Sequence, residues 1–208
     1  MSFFENTRKP VGLSGKIMVA MMNLGHSPVA RWGLQFLNAA PDAKVLDCGC
    51  GGGANMKRLL KKCPQGVVKG IDYSPVSVEK SKKVNEAAIA EGRCAVLQGS
   101  VSDMVFADDW FDTITAFETV YFWPDLPRCF REVYRVLKPG GTFCGCFYVT
   151  GEHKRTDWFV RHVYEKTGFF TPPYETVSNL KARLDGMYTD VDMGNLKSMA
   201  WFVCRKAD

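Results

Sequence analysis

The chain has 208 residues, 46% hydrophobic and 24% charged, enough for one domain that buries about 70% of its extended-chain surface without disulfide or metal support. The apolar and aromatic content excludes disorder, and 19 glycines and 10 prolines exclude a collagen-like or low-complexity chain. A formal charge of +5 falls short of the clustered charge of a dedicated nucleic-acid binder. The apolar run 17–22 is too short for a membrane span and has no signal-peptide pattern, so a cytoplasmic protein is expected.

In chain order, Phe3, Phe4, Arg8, Lys9 and a Met-rich segment (Met18, Met21, Met22) come first. Ser27-Pro28 is a helix start, serine as cap and proline in the first turn, with Val29, Trp32, Phe36 and Leu37 on the apolar face. Residues 44–47 read as strand one and 48–53 as a loop. A helix over 54–62 turns Met56, Leu59 and Leu60 inward and its lysines outward. Strand two spans 67–72, and Ser74-Pro75 opens a helix running towards Gly92. Strands three and four span 94–97 and 111–117. The helix 126–137 stops at Lys138-Pro139-Gly140-Gly141, a type II turn signal, before strand five at 142–148. Helical patterns around 157–166 and 177–184 precede two β runs, 188–193 and 199–204, joined by Gly194-Asn195 as a hairpin. Short β-rich runs alternating with helical ones mark a parallel sheet wrapped by helices, here closed by an antiparallel pair.

Three features carry chemistry. Asp47-Cys48-Gly49-Cys50-Gly51-Gly52-Gly53 ends strand one, where glycines let the backbone turn sharply and approach a ligand. Asp72, about 20 residues further on, ends strand two, where an acid accepts ribose hydroxyls. A dinucleotide enzyme, an NAD(P)-dependent oxidoreductase, shares both, and Ala54 completes its G-x-G-x-x-A spacing. Asp47 separates the readings: a carboxylate beside the glycine loop repels a pyrophosphate but suits a ligand with an ammonium group, such as an adenosyl nucleoside carrying an amino acid.

Val45-Leu46-Asp47-Cys48-Gly49-Cys50-Gly51 resembles the first motif of class I S-adenosylmethionine-dependent methyltransferases, and Gly70-Ile71-Asp72-Tyr73-Ser74 resembles the second. Phe111 to Phe117 and the stretch Val133 to Gly141 resemble the segments at strands four and five, so that the resemblance covers roughly residues 40–150. It is nearest the small-molecule branch with the ubiquinone and menaquinone methyltransferases. It implies a Rossmann-like, doubly wound seven-stranded α/β sheet, mostly parallel with an antiparallel last strand. S-adenosylmethionine would be the cofactor and S-adenosylhomocysteine the product. The resemblance puts Asp47, Gly49 and Gly51 at the methionine end, Asp72 at the ribose and Tyr73 on the adenine, and counts Cys48 among the cofactor-binding residues. Ser100 and Val101 would border the adenine edge, and Phe117 and Glu118 would close the pocket. Residues 1–40 would be a helical lid, 40–150 the cofactor-binding core and 150–208 the substrate-side helices and hairpin of a single domain.

The expected acceptor is a small molecule, because the catalytic fold uses nearly the whole chain; an RNA or protein acceptor is the alternative. Tyr121, Phe122 and Trp123 after strand four would wall the reacting methyl. Methyl transfer from a sulfonium is an in-line displacement that relies on alignment. Where a base is needed, Glu118, Tyr121 and His26 are the candidates, with His153 and His162 behind them. Thr171-Pro172-Pro173-Tyr174 imitates an amino-methylating motif but does not lie at the end of strand four. Cys48-x-Cys50 and Cys144-x-Cys146 lie on strands that the implied sheet order separates, so no metal site is expected and the eight cysteines are read as buried thiols.

Overall fold

The computed structural model describes residues 12, 19, 27–147, 180–196 and 199–208. Helix α1 (Ser27–Gly33) leads to strand β1 (Lys44–Cys48), α2 (Ala54–Lys62), β2 (Val67–Asp72), α3 (Pro75–Val84), α4 (Glu86–Ala90) and β3 (Cys94–Gln98). Then come β4 (Phe111–Phe117), a 3-10 turn (Val120–Phe122), α5 (Leu126–Val136), β5 (Leu137–Phe147), β6 (Thr189–Leu196) and β7 (Met199–Arg205). The sheet has seven strands in the order β3-β2-β1-β4-β5-β7-β6. The first five strands are parallel, and β7 runs antiparallel to both β5 and β6. This is the doubly wound sheet with an antiparallel last strand that the motifs imply.

Side chains on a strand alternate between faces, and that period builds two cores. Val45, Val68, Cys144 and Cys146 pack with Val29 of α1, Met56 and Leu59 of α2 and Val78 of α3. Leu46, Ile71, Ile114, Phe143 and Phe202 face the other way, onto Phe130 and Val133 of α5 and onto Leu180 and Leu184. Phe143 is fully buried there and edge-packs on Phe130 and Phe202, with ring centroids 6.1 and 4.9 Å apart. Phe143→Ala should therefore lower stability by about 3–5 kcal/mol, read as a shift of the urea midpoint.

The starts expected for α3 and α5 are present: Ser74 Oγ accepts from Ser77 N–H at 3.3 Å, and Asp125 Oδ1 accepts from Arg128 N–H at 3.1 Å. Three local readings change. The helix expected to run to Gly92 breaks at Asn85, whose Nδ2 donates to Gly53 O (3.1 Å) and Ser81 O (3.0 Å) and so ties the break to the glycine loop. Lys138-Pro139-Gly140-Gly141 lies inside β5 at a register shift, because Gly140 N–H donates to Lys206 O and Lys206 N–H donates to Gly141 O, each at 3.0 Å. Gly194 and Asn195 are strand residues paired with Trp201 and Ala200, and the hairpin closes at Leu196 opposite Met199. All eight cysteines are buried free thiols, and β4 separates the pairs on β1 and β5.

Candidate active site

β1 is flanked by β2 on one side and β4 on the other, so the chain reverses its direction of sheet growth there and opens a crevice at the carboxyl ends of the strands. The glycine loop closes the floor. Gly49 and Cys50 N–H both donate to Ile71 O, at 2.8 and 3.1 Å, pinning the loop to the end of β2. Gly49 has φ +72°, and a Cβ there would collide with Thr119 Oγ1, so only glycine lets the β1 and β4 ends approach. Gly51 (φ +50°) has nothing within 4 Å of where a Cβ would lie, so its bare backbone faces open space.

Gly51 also fixes Asp72. Its N–H donates to Asp72 Oδ2 and Ser74 N–H donates to Oδ1, each at 2.9 Å. One carboxylate thus bridges the glycine loop and the start of α3. Burial pushes its pKa up against the two N–H donors that favour the ionised form. The site opens as a cavity of about 330 Å³ lined by Asp72, Tyr73, Ser100, Val101, Phe122 and Trp123, among others. The Ser100 hydroxyl is shared with that of Ser102 at 2.8 Å.

A smaller cavity of about 80 Å³ adjoins it through shared Gly49, Gly51, Ser77 and Glu118, and is lined further by Asp47, Asn55, Arg58 and Phe117. Asp47 is 2% exposed. Its Oδ1 accepts from Thr115 Oγ1 at 2.7 Å and Asn55 Nδ2 at 3.1 Å. Burial nevertheless raises its pKa to about 6, the two hydrogen bonds opposing the rise. Glu118 is 6% exposed and holds φ +59°, a left-handed conformation that costs a non-glycine residue about 1–3 kcal/mol. Its N–H donates to Cys146 O at 2.8 Å, and Tyr121 Oη–H donates to its Oε2 at 2.6 Å. Such strain is retained where it aims a side chain, here a carboxylate at the junction of both cavities.

Asp47, Gly49, Gly51, Asp72, Tyr73, Ser100, Val101, Phe117 and Glu118 therefore converge on one crevice. Cys48 does not. Strand alternation sends it to the opposite face from Asp47, where its buried thiol packs in the α5-side core with a strongly raised pKa. Tyr121 is not among the residues lining either cavity, and it touches the site through its hydrogen bond to Glu118. His26, His153, His162 and the segment 171–174 lie outside the described residues.

Asn55, Thr115 and Thr119 were not legible as site residues. Asn55 has no motif around it. Thr115 is one of two threonines in β4, and it matters because it is registered opposite Asp47. Thr119 sits against Gly49 and accepts from Trp123 Nε1 at 3.3 Å.

Residues 46–145 match the family model described as "Methyltransferase domain". The chain is 35% identical over 107 residues to cycloartenol-C-24-methyltransferase 1 of Oryza sativa subsp. japonica, covering 51% of this chain and 31% of that protein. It is 33% identical over 104 residues to the chloroplastic 2-methyl-6-phytyl-1,4-hydroquinone methyltransferase of Arabidopsis thaliana, covering 50% of this chain and 30% of that protein. It thus spans about a third of the length of such curated relatives. Among solved structures, phosphoethanolamine N-methyltransferase 2 of Haemonchus contortus in complex with S-adenosyl-L-methionine shares the fold at TM-score 0.72 and 14% identity, over 86% of this chain and 52% of that one. A SAM-dependent methyltransferase from Aquifex aeolicus does so at TM-score 0.65 and 18% identity, over 86% and 89%. Residues 46–145 thus resemble a methyltransferase domain in sequence, and the strand order, the glycine loop and the two acids agree with that resemblance.

Proposed function

We propose that this protein transfers the methyl group of S-adenosylmethionine to a small-molecule acceptor, with the cavity of Asp72 holding the adenosyl part and that of Asp47 the amino-acid part. The observation that carries this reading is an acid in each of two adjoining cavities, Asp72 half-buried and Asp47 buried, with the side-chain-free backbone of Gly51 between them. The donor set fits the cofactor. Asp72 is held by two backbone N–H groups with oxygen lone pairs left for ribose hydroxyls, and Asp47 is an anion suited to an ammonium group. Tyr73, Ser100 and Val101 lie on the adenosyl side of the larger cavity, and Phe117 closes the smaller one.

When bound, S-adenosylmethionine supplies a methyl group activated on a sulfonium centre. The residues of this chain align the reactants and keep water out; Phe122 and Trp123 give the larger cavity an aromatic side whose π-faces favour a sulfonium. Glu118, oriented by Tyr121, is the acid placed to take a proton from an acceptor that carries one. His26 stays a candidate for the same task by its place in the sequence. The names of the curated relatives, a sterol and a hydroquinone methyltransferase, support a small acceptor. No described helix is long and apolar enough to cross a membrane, and a cytoplasmic location is proposed on the sequence pattern.

Incubation of the protein with methyl-labelled S-adenosylmethionine and a cell extract tests the reading. Label in the small-molecule fraction is expected; label confined to RNA or protein would contradict it. Tyr121→Phe removes only the hydroxyl that holds Glu118. It should lower kcat about tenfold or more and leave S-adenosylhomocysteine affinity within about twofold, since a hydrogen bond to a carboxylate is lost outside both cavities. Equal loss in both, by steady-state kinetics and calorimetry, would make Tyr121 a cofactor-pocket residue.

A further inference from the structure

Asn55 stands in the first turn of α2, on the wall of the smaller cavity beside Asp47. Its two amide atoms have different fates. Nδ2 donates to Asp47 Oδ1 at 3.1 Å, whereas Oδ1 is shut off from solvent and accepts no hydrogen bond among the described residues. A buried acceptor without a partner is destabilising, and each one in a native structure needs a reason, such as strain, a functional role, or a bound species that completes it. The choice of amide orientation follows from the chemistry, because only the –NH₂ end can face a carboxylate oxygen. That leaves a neutral acceptor beside an anionic one at the same end of one cavity, a pair that calls for a donor with several N–H groups and a positive charge. A phosphate or a second carboxylate brings only acceptors there. Arg58, on the same wall three residues on, gives the cavity a cation as well, so the lining complements a zwitterion.

We propose that Asn55 binds and positions the amino group of the ligand, its Nδ2 setting the Asp47 carboxylate and its Oδ1 accepting an ammonium N–H. The inference rests on the donor proposed above and adds to it a residue that selects an intact amino-acid end. The hydrogen bond from Nδ2 holds the Asp47 pKa down against burial. Asn55 thus contributes, after Thr115, to keeping the carboxylate charged.

The test is calorimetry on wild-type protein and Asn55→Ala with two probes. One is S-adenosylhomocysteine; the other is 5′-methylthioadenosine, which keeps the thioether-linked adenosine and lacks the amino acid. N55A should lose about tenfold to a hundredfold in S-adenosylhomocysteine affinity, the range for a hydrogen bond to a charged group. Its affinity for 5′-methylthioadenosine should stay within about twofold, which also shows that the variant is folded. The pH midpoint for S-adenosylhomocysteine binding should lie higher in N55A than in the wild type, because a hydrogen bond that favours the Asp47 carboxylate is lost. Equal losses for both probes, unchanged S-adenosylhomocysteine affinity, or an unmoved midpoint would overturn the inference and leave the donor assignment standing. A wild-type protein that binds neither probe would overturn both. Should N55A fail to fold, Asn55→Gln keeps the amide but displaces it by one methylene, and the same selective loss is expected.

Discussion

Replacing Asp72 by alanine is expected to weaken S-adenosylhomocysteine binding by about a hundredfold or more while the sheet survives. The carboxylate holds Gly51 and Ser74 by their N–H groups, each at 2.9 Å, so its removal frees the glycine loop from α3 as well as deleting the ribose acceptor. Hydrogen bonds to a charged acceptor are worth about 1.5–3 kcal/mol each, and two of them give the stated factor at 1.4 kcal/mol per tenfold. The helix keeps its own cap, since Ser74 Oγ still accepts from Ser77 N–H. Loss of stability should therefore be modest, about 1–2 kcal/mol, in line with unpaired N–H groups beside a solvent-open cavity. Asp72→Asn, which retains one carbonyl acceptor, should fall between the two. Calorimetric titration alongside a urea melt separates the effects, and unchanged affinity in the alanine variant would contradict the ribose assignment.

Asp47→Asn is expected to move stability and binding in opposite directions. Burial raises the Asp47 pKa from the ordinary 3.8 to about 6. In the free protein the folded state therefore holds a proton between about pH 4 and 6 that the unfolded chain has released. The stability associated with the neutral acid is complete below about pH 4 and is lost as pH rises through about 6, some 3 kcal/mol in all. The asparagine variant carries no such charge, so at pH 7–8 it should be more stable than the wild type by up to about 3 kcal/mol, with the gain vanishing near pH 4. The same change removes the anion that would face the cationic amino group, and S-adenosylhomocysteine affinity should fall by at least about tenfold. For the wild type, affinity should decline as pH drops below about 6, up to tenfold per unit, because the carboxylate must first lose its proton. Urea melts from pH 4 to 8 read the first half of this prediction. A variant that is destabilised at every pH would show that Asp47 is a structural acid.

The strands of this protein were legible because each is a short apolar run bounded by turn residues; β2 and β4 begin and end where the pattern does. What local reading misplaced depends on distant partners. The Pro139-Gly140 signal is genuine, yet Lys206 pairs with Gly140 and Gly141 and draws them into β5. Gly194-Asn195 has hairpin chemistry, but Trp201 and Ala200 stand opposite and push the turn onward. Within the site, the acids and glycines were found because they end strands. Cys48 adjoins them in sequence, but the two-residue period of β1 turns its side chain to the face opposite Asp47. The partners of Asp47 could not be found in that way. Thr115 meets it through strand register across 68 positions, and Asn55 through the packing of α2 on β1. Glu118 itself was legible, but its left-handed backbone was not, because nothing local marks a glutamate for φ +59°.

On the function proposed above, the buried Asp47 makes the crevice select a cationic amino-acid end over a diphosphate. Calorimetry of the purified protein at pH 7.5 with S-adenosylhomocysteine and with NAD, repeated at pH 5, measures that choice directly. Binding of S-adenosylhomocysteine alone at pH 7.5, with affinity reduced at pH 5, is the predicted result. NAD binding as tightly as S-adenosylhomocysteine at pH 7.5, or S-adenosylhomocysteine gaining affinity at pH 5, would contradict it.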